Sequence, residues 1–223
     1  MATGTPYLSV IFSAGFRVCL LALLLFLPAQ DLRWPAGWVY LLLYAAWSGL
    51  NITLLGSRSP ELLRLRETGA PAASEPWDKF FVFFGAALLA TTLLICGMEG
   101  PASGFTALAA AAFLPICAAG ALFTWALLSN PFAIGVSAIQ PGQTAVDRGP
   151  YRAVRHPIYL AGIVVLVCTP AALGSPSAFL PAGLLAGGLA ARAALEDRLL
   201  LRALPGYKEY AGRVTYRLLP GFW

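Results

Sequence analysis

Long runs of hydrocarbon side chains constrain this 223-residue chain more than any other feature. A helix needs about 20 apolar residues to cross the core of a bilayer, where its backbone N–H and C=O groups must be satisfied within the segment. Four runs reach that length, at residues 7–28, 36–56, 80–98 and 105–128. A fifth runs from Pro157 to Leu173. After the turn Gly174-Ser175-Pro176 a sixth continues to Ala191. The last two are short, which suits a tight helical hairpin packed or tilted inside a bundle. The expected fold is an all-α integral membrane protein of six transmembrane helices.

Charge supports that reading. Only 11% of residues are charged, less than half of the roughly 25% usual in soluble domains. With six crossings, the N-terminus, the 57–79 loop, the 129–156 loop and the tail from Arg192 share one side. That side then holds thirteen of the fifteen Lys and Arg residues, so both termini are expected to be cytoplasmic. An odd number of spans would divide the basic loops between the two faces. The first basic residue, Arg17, lies inside the first run, so that run is expected to remain as a helix rather than be cleaved as a signal peptide. A charge at that depth costs about 2.5–3.5 kcal/mol. Arg17 should therefore face the bundle or a wet cavity, either lining a ligand's route or pairing with Glu99 or a backbone carbonyl.

Other polar features have structural readings. Pro60–Glu67 is an amphipathic piece expected at the interface. Trp34, Trp38, Trp77 and Trp223 read as interfacial belt residues, and Asn51, with Ser48 and Thr53, as glue between helices. Cys19, Cys96, Cys117 and Cys168 lie in apolar runs without metal-ligand spacing, as small buried hydrophobes do. With one histidine, no metal site is expected, nor is a nucleic-acid partner or an obligate protein partner. No internal repeat divides the chain. It reads as one domain, with four N-terminal helices (1–128) followed by a C-terminal unit (129–223).

That unit opens on an unusual stretch, residues 147–162, DRGPYRAVRHPIYLAG. It gathers three arginines, two prolines and the single histidine between hydrocarbon segments. Pro131, Pro141, Gly142, Gly149 and Pro150 make 129–156 an ordered loop. Pro157 fits the first turn of a helix, which places Arg155 and His156 at its mouth, beside free backbone N–H groups that favour an anion. Four residues separate Arg192 from Glu196, so they share a helix face; Asp197 and Arg198 are expected to point to water or headgroups. A hairpin then collects Tyr151, His156, Tyr159, Arg192 and Glu196 at one edge of the membrane. As isolated features, Arg148 and Arg152 read as headgroup anchors. Arg192 with Glu196 reads equally as a surface ion pair worth about 0.2–0.5 kcal/mol.

In this order the motifs resemble those of isoprenylcysteine carboxyl methyltransferases and their bacterial relatives. Gly149-Pro150-Tyr151 through Arg155-His156-Pro157-Ile158-Tyr159 is similar to the family's Gly-x-Tyr…Arg-His-Pro-x-Tyr signature. Arg192, Glu196, Leu199, Tyr207–Tyr210 and Arg213-Val214 are similar to its closing Arg…Glu-Glu, Tyr-x-x-Tyr and Arg-Val pattern. The resemblance covers residues 129–223. It departs from the prenylcysteine enzymes at Gln143, where they carry His, in a shorter loop after Gln140, and at Leu204-Pro205-Gly206, where they carry Phe-Gly.

The resemblance implies an S-adenosylmethionine cofactor held by this unit, in a pocket closed by the cytoplasmic loop and a C-terminal helix, with a lipophilic or lipid-tailed acceptor arriving from the bilayer. Carried over by position, the cofactor would touch Gln140, Gln143, Thr144, Ala145, Val146, Tyr151, His156, Pro157, Ile158, Tyr159 and Glu196. Arg192 would face the acceptor. The residue types suit such a ligand. His156 and the helix N-terminus can receive a carboxylate, Glu196 an ammonium or a ribose hydroxyl, and the tyrosines an adenine or sulfonium. A guanidinium at Arg192 favours a carboxylate acceptor over a cationic amine. Phospholipid amine methylation, a membrane reductase on the same scaffold, and a non-catalytic membrane protein remain as alternatives.

Overall fold

The computed structural model describes residues 5–68 and 75–223. Among them there are eight α-helices and no strand: α1 (Thr5–Ala29), α2 (Pro35–Arg58), α3 (Pro60–Thr68), α4 (Pro76–Ser103), α5 (Ala107–Ser129), α6 (Pro157–Leu173), α7 (Phe179–Ala203) and α8 (Tyr207–Arg213). A 3-10 turn, Gly149–Arg152, precedes α6. Helices α1, α2, α4, α5 and α7 are long and apolar enough to cross a bilayer, and α6 is apolar but only 17 residues long. The chain is an all-α membrane-embedded protein. The amphipathic piece of the 57–79 loop is α3; residues 69–74 of that loop lie outside the described residues.

Local chemistry sets the helix ends. Proline occupies the first turn of α2, α4 and α6, where its missing N–H leaves no partner wanting. Thr106 caps α5 by accepting from Ala109 N–H at 3.1 Å. Gly174 ends α6 with φ +71°, the left-handed conformation that glycine adopts without strain, and its carbonyl accepts from Ser103 Oγ on α4.

One element is longer than its hydropathy implied. The sixth apolar run stops at Ala191, yet α7 continues to Ala203 and is 25 residues long, so the α6–α7 hairpin pairs a short helix with a long one. Residues 192–203 are Ala, Leu, Glu, Asp and Arg, mostly strong helix formers. The charges that end the apolar run find tertiary partners, so the helix has no reason to stop.

In the bundle α5 packs along α6, α1 along α4, and α7 against both α4 and α6. The largest core cluster joins Leu21 and Leu25 of α1 to Leu93 and Cys96 of α4 and Leu173 of α6, around Trp34. Trp34 is a core residue rather than a belt residue: it is 2% exposed, stands edge-on to Phe26 at 5.9 Å, and fills the space that glycine leaves at Gly37 and Gly100. Trp38 is exposed and donates to Leu32 O at 2.7 Å. Asn51 and Thr53 bond to carbonyls of α2 itself, at Trp47, Gly49 and Leu50. The polar link from α2 to α5 is instead Trp47 Nε1 donating to Thr124 Oγ1 at 2.7 Å. Cys96 is buried, whereas Cys19 is exposed on α1 beside Phe12, Phe16, Leu20 and Leu23, an apolar face of the kind that meets lipid.

Arg17 pairs with Glu67 of α3 at 2.9 Å, and Ser13 also donates to that carboxylate. Glu99, one of the alternatives for Arg17, is at the other end of the bundle, where it accepts from Ser175 Oγ at 2.7 Å and Ser177 N–H at 3.2 Å.

Candidate functional site

The start of α6 and the end of α7 meet the ends of α4 and α5 at one pole of the bundle. The segment 130–148, α3 and α8 cover that pole. Beneath them is a cavity of about 250 Å³, just under the roughly 300–1,000 Å³ of most small-molecule sites. Ten of the twelve positions named by the family resemblance line it: Gln143, Thr144, Ala145, Val146, Tyr151, His156, Ile158, Tyr159, Arg192 and Glu196. Gln140 and Pro157 do not. Gln140 turns its amide to Phe132 O at 2.8 Å and its N–H to Gln143 Oε1 at 2.8 Å, bracing the loop, and it borders a separate groove beside α3. Pro157 is buried in the first turn of α6.

Asp197 reverses its expected orientation. It is fully buried, and its carboxylate is the hub of the tail. Arg155 Nε lies 3.0 Å from Oδ1 and Arg217 Nε 2.9 Å from Oδ2. Tyr207 donates to Oδ1 at 2.9 Å, and His156 Nε2 is 3.4 Å from the same oxygen. A carboxylate with no exposed surface is tenable only with this degree of compensation. Arg155 also donates to the Val214 carbonyl at 3.2 Å, while the N–H groups of Arg155 and His156 donate to Tyr216 and Arg217 carbonyls. Tyr210 donates to Tyr151 O at 2.8 Å. The Arg-His-Pro and Tyr-x-x-Tyr motifs therefore fold onto one another. Burial, and then the Asp197 charge, hold the Tyr207 hydroxyl far above its ordinary pKa, so it stays a donor; burial does the same for Tyr151.

Arg192 and Glu196 share a face but are not ion-paired to each other. Arg192 Nε donates to Asp78 Oδ1 at 2.7 Å, its terminal nitrogen donates to Gly135 O at 3.1 Å, and the guanidinium lies over the Tyr159 ring at 5.5 Å. Asp78, in the first turn of α4, is 1% exposed and also accepts from Ser137 N–H at 3.1 Å. Glu196 Oε2 accepts from Tyr159 OH at 2.5 Å and Ser137 Oγ at 3.1 Å. Arg148, read as a headgroup anchor, donates instead to Ser129 O at the end of α5. Arg152 donates to the nearby Asp147 carbonyl at 3.2 Å.

Sequence reasoning passed over Asp78, Ser137 and Arg66, all in this site or directly behind it, and turned Asp197 outward where the fold buries it. Asp78 carried one usable signal, an acid in the first turn of an apolar helix. The others had no local signature. The sequence matches no protein-family model and no curated protein.

Proposed function

We propose that the chain is an integral membrane S-adenosylmethionine-dependent methyltransferase of six crossings, with its site at the cytoplasmic face and a lipophilic acceptor. One observation carries the reading: residues scattered from Gln143 to Glu196, all among those the family resemblance names, line a single cavity. The chemistry fits. The cavity offers a carboxylate at Glu196, cationic side chains, and the rings and hydroxyls of Tyr151 and Tyr159 to a ligand that carries both charges and an aromatic base. The cofactor supplies an electrophilic methyl group. The residues of the chain bind and align, and well-oriented reactants can gain on the order of 7–11 kcal/mol.

A carboxylate acceptor, as in prenylcysteine carboxyl methylation, would approach the exposed edge of Arg192. Amine methylation is the second reading, and the Asp78–Arg192 pair at 2.7 Å supports it: with its charge balanced, Arg192 no longer repels a cationic head.

The test is calorimetric binding of S-adenosylmethionine to detergent-purified protein, followed by methyl transfer in bilayer discs to prenylcysteine or to phosphatidylethanolamine. Micromolar binding lost in Glu196→Ala is the expected result, and the acceptor methylated selects between the readings. No binding by folded protein in detergent or in discs would sink the proposal.

A further inference from the structure

The ionisable side chains that line the cavity can be sorted by what already holds them. Arg155 and His156 are committed to Asp197, and Arg192 to Asp78. Two charges are left over. Glu196 accepts hydrogen bonds from Ser137 and Tyr159 but makes no ion pair among the described residues. Arg66, near the end of α3, is the only lining cation with no carboxylate within 4 Å among the described residues, and residues 1–4 and 69–74 contain no acid.

Arg66 is nonetheless firmly placed. One terminal nitrogen donates to Ala133 O at 2.6 Å, and its guanidinium faces the Phe123 ring at 5.8 Å. Glu67, the next residue, is anchored to Arg17 and Ser13 of α1, which fixes the helix that carries Arg66. Burial, more than any neighbouring charge, works against its protonated form. A partly desolvated guanidinium held by one carbonyl and a ring has donors in reserve, in the fork geometry that matches a carboxylate.

We infer that Arg66 and Glu196 form the two poles of a subsite for an α-amino-acid group, Arg66 binding its carboxylate and Glu196 its ammonium. This rests on the cofactor reading above and names the end of S-adenosylmethionine that each pole takes. It moves the carboxylate from His156, which is occupied by Asp197, to a residue outside the C-terminal unit. The cofactor site is then completed by the N-terminal half of the chain.

The experiment compares S-adenosylmethionine with its decarboxylated analogue, binding each to wild type, Arg66→Gln and Arg66→Lys in detergent. Arg198→Gln, an exposed change of the same charge, serves as control, and unfolding midpoints check that each variant is folded. Arg66→Gln should weaken the parent cofactor on the order of 10–100-fold, the loss typical of a charged hydrogen bond. It should leave the analogue unchanged or slightly tighter, because the analogue has no carboxylate and more positive charge. Arg66→Lys should fall between, and it decides the matter should Arg66→Gln misfold. Equal weakening of both ligands, or none of either, would overturn the inference while leaving the cofactor reading in place. Wild type that binds neither would defeat both.

Discussion

Asp197 carries more of the tail's structure than any other residue. Four side chains from three segments, Arg155 and His156 before α6, Tyr207 on α8 and Arg217 beyond it, converge on one carboxylate. Removing one member of such a group leaves buried charge uncompensated, a loss of about 3–5 kcal/mol. Asp197→Asn should therefore lower the unfolding midpoint in detergent. It should also expose the chain beyond Ala203 to protease, because Arg155 and Arg217 lose the anchor that binds the tail to the start of α6. A midpoint unchanged from wild type, with the tail still protected, would contradict the hub role. The same residue shows the limit of reading charge by helix face: Asp197 is adjacent to Glu196, and only the fold brings cations to it, Arg155 from 42 residues before and Arg217 from 20 residues after.

At the scale of the element, α3 is where the two halves of the chain meet over the site. Burial raises the Glu67 carboxyl, but hydrogen bonds from Arg17 and Ser13 outweigh it, and the net shift is below the ordinary glutamate range. The sign of the linkage follows. A carboxyl depressed in the folded state contributes stability that is complete above about pH 4.3, the unfolded value, and lost as pH falls through the lower folded value. Hydrogen exchange of α3 amides, corrected for intrinsic rate, should thus keep its protection down to about pH 4.3 and lose it as the pH falls further. Glu67→Gln should abolish that dependence, and a variant with the wild-type profile would remove α3's clamp from the explanation. The amphipathic pattern of Pro60–Glu67 was legible in the sequence. Its partner was not, since Arg17 and Glu67 are fifty residues apart and either could have been satisfied elsewhere.

At the scale of the whole molecule, the basic segments and the cavity belong to one pole, and Arg33 and Glu99 to the other. On the proposed topology, single cysteines placed at Ser59 and at Lys208 should react with a membrane-impermeant maleimide only when the cytoplasmic face is open. One placed at Asp31 should react only from the opposite face. Labelling of Ser59 and Lys208 from different sides would exclude an even number of crossings between them. The sequence by itself determined that this is a helical membrane protein, where most helices begin, and which hinge residues, Tyr151 to Tyr159, gather at one place. Those properties are local: apolar length, proline and glycine at turns, and motif order survive in one dimension. The charge pairing was decided only in the tertiary structure. That Arg192 belongs to Asp78, His156 and Arg155 to Asp197, and Arg17 to Glu67 depends on which helix ends are packed side by side. An ion pair forms wherever opposite charges come within reach, and sequence separation carries no information about that distance.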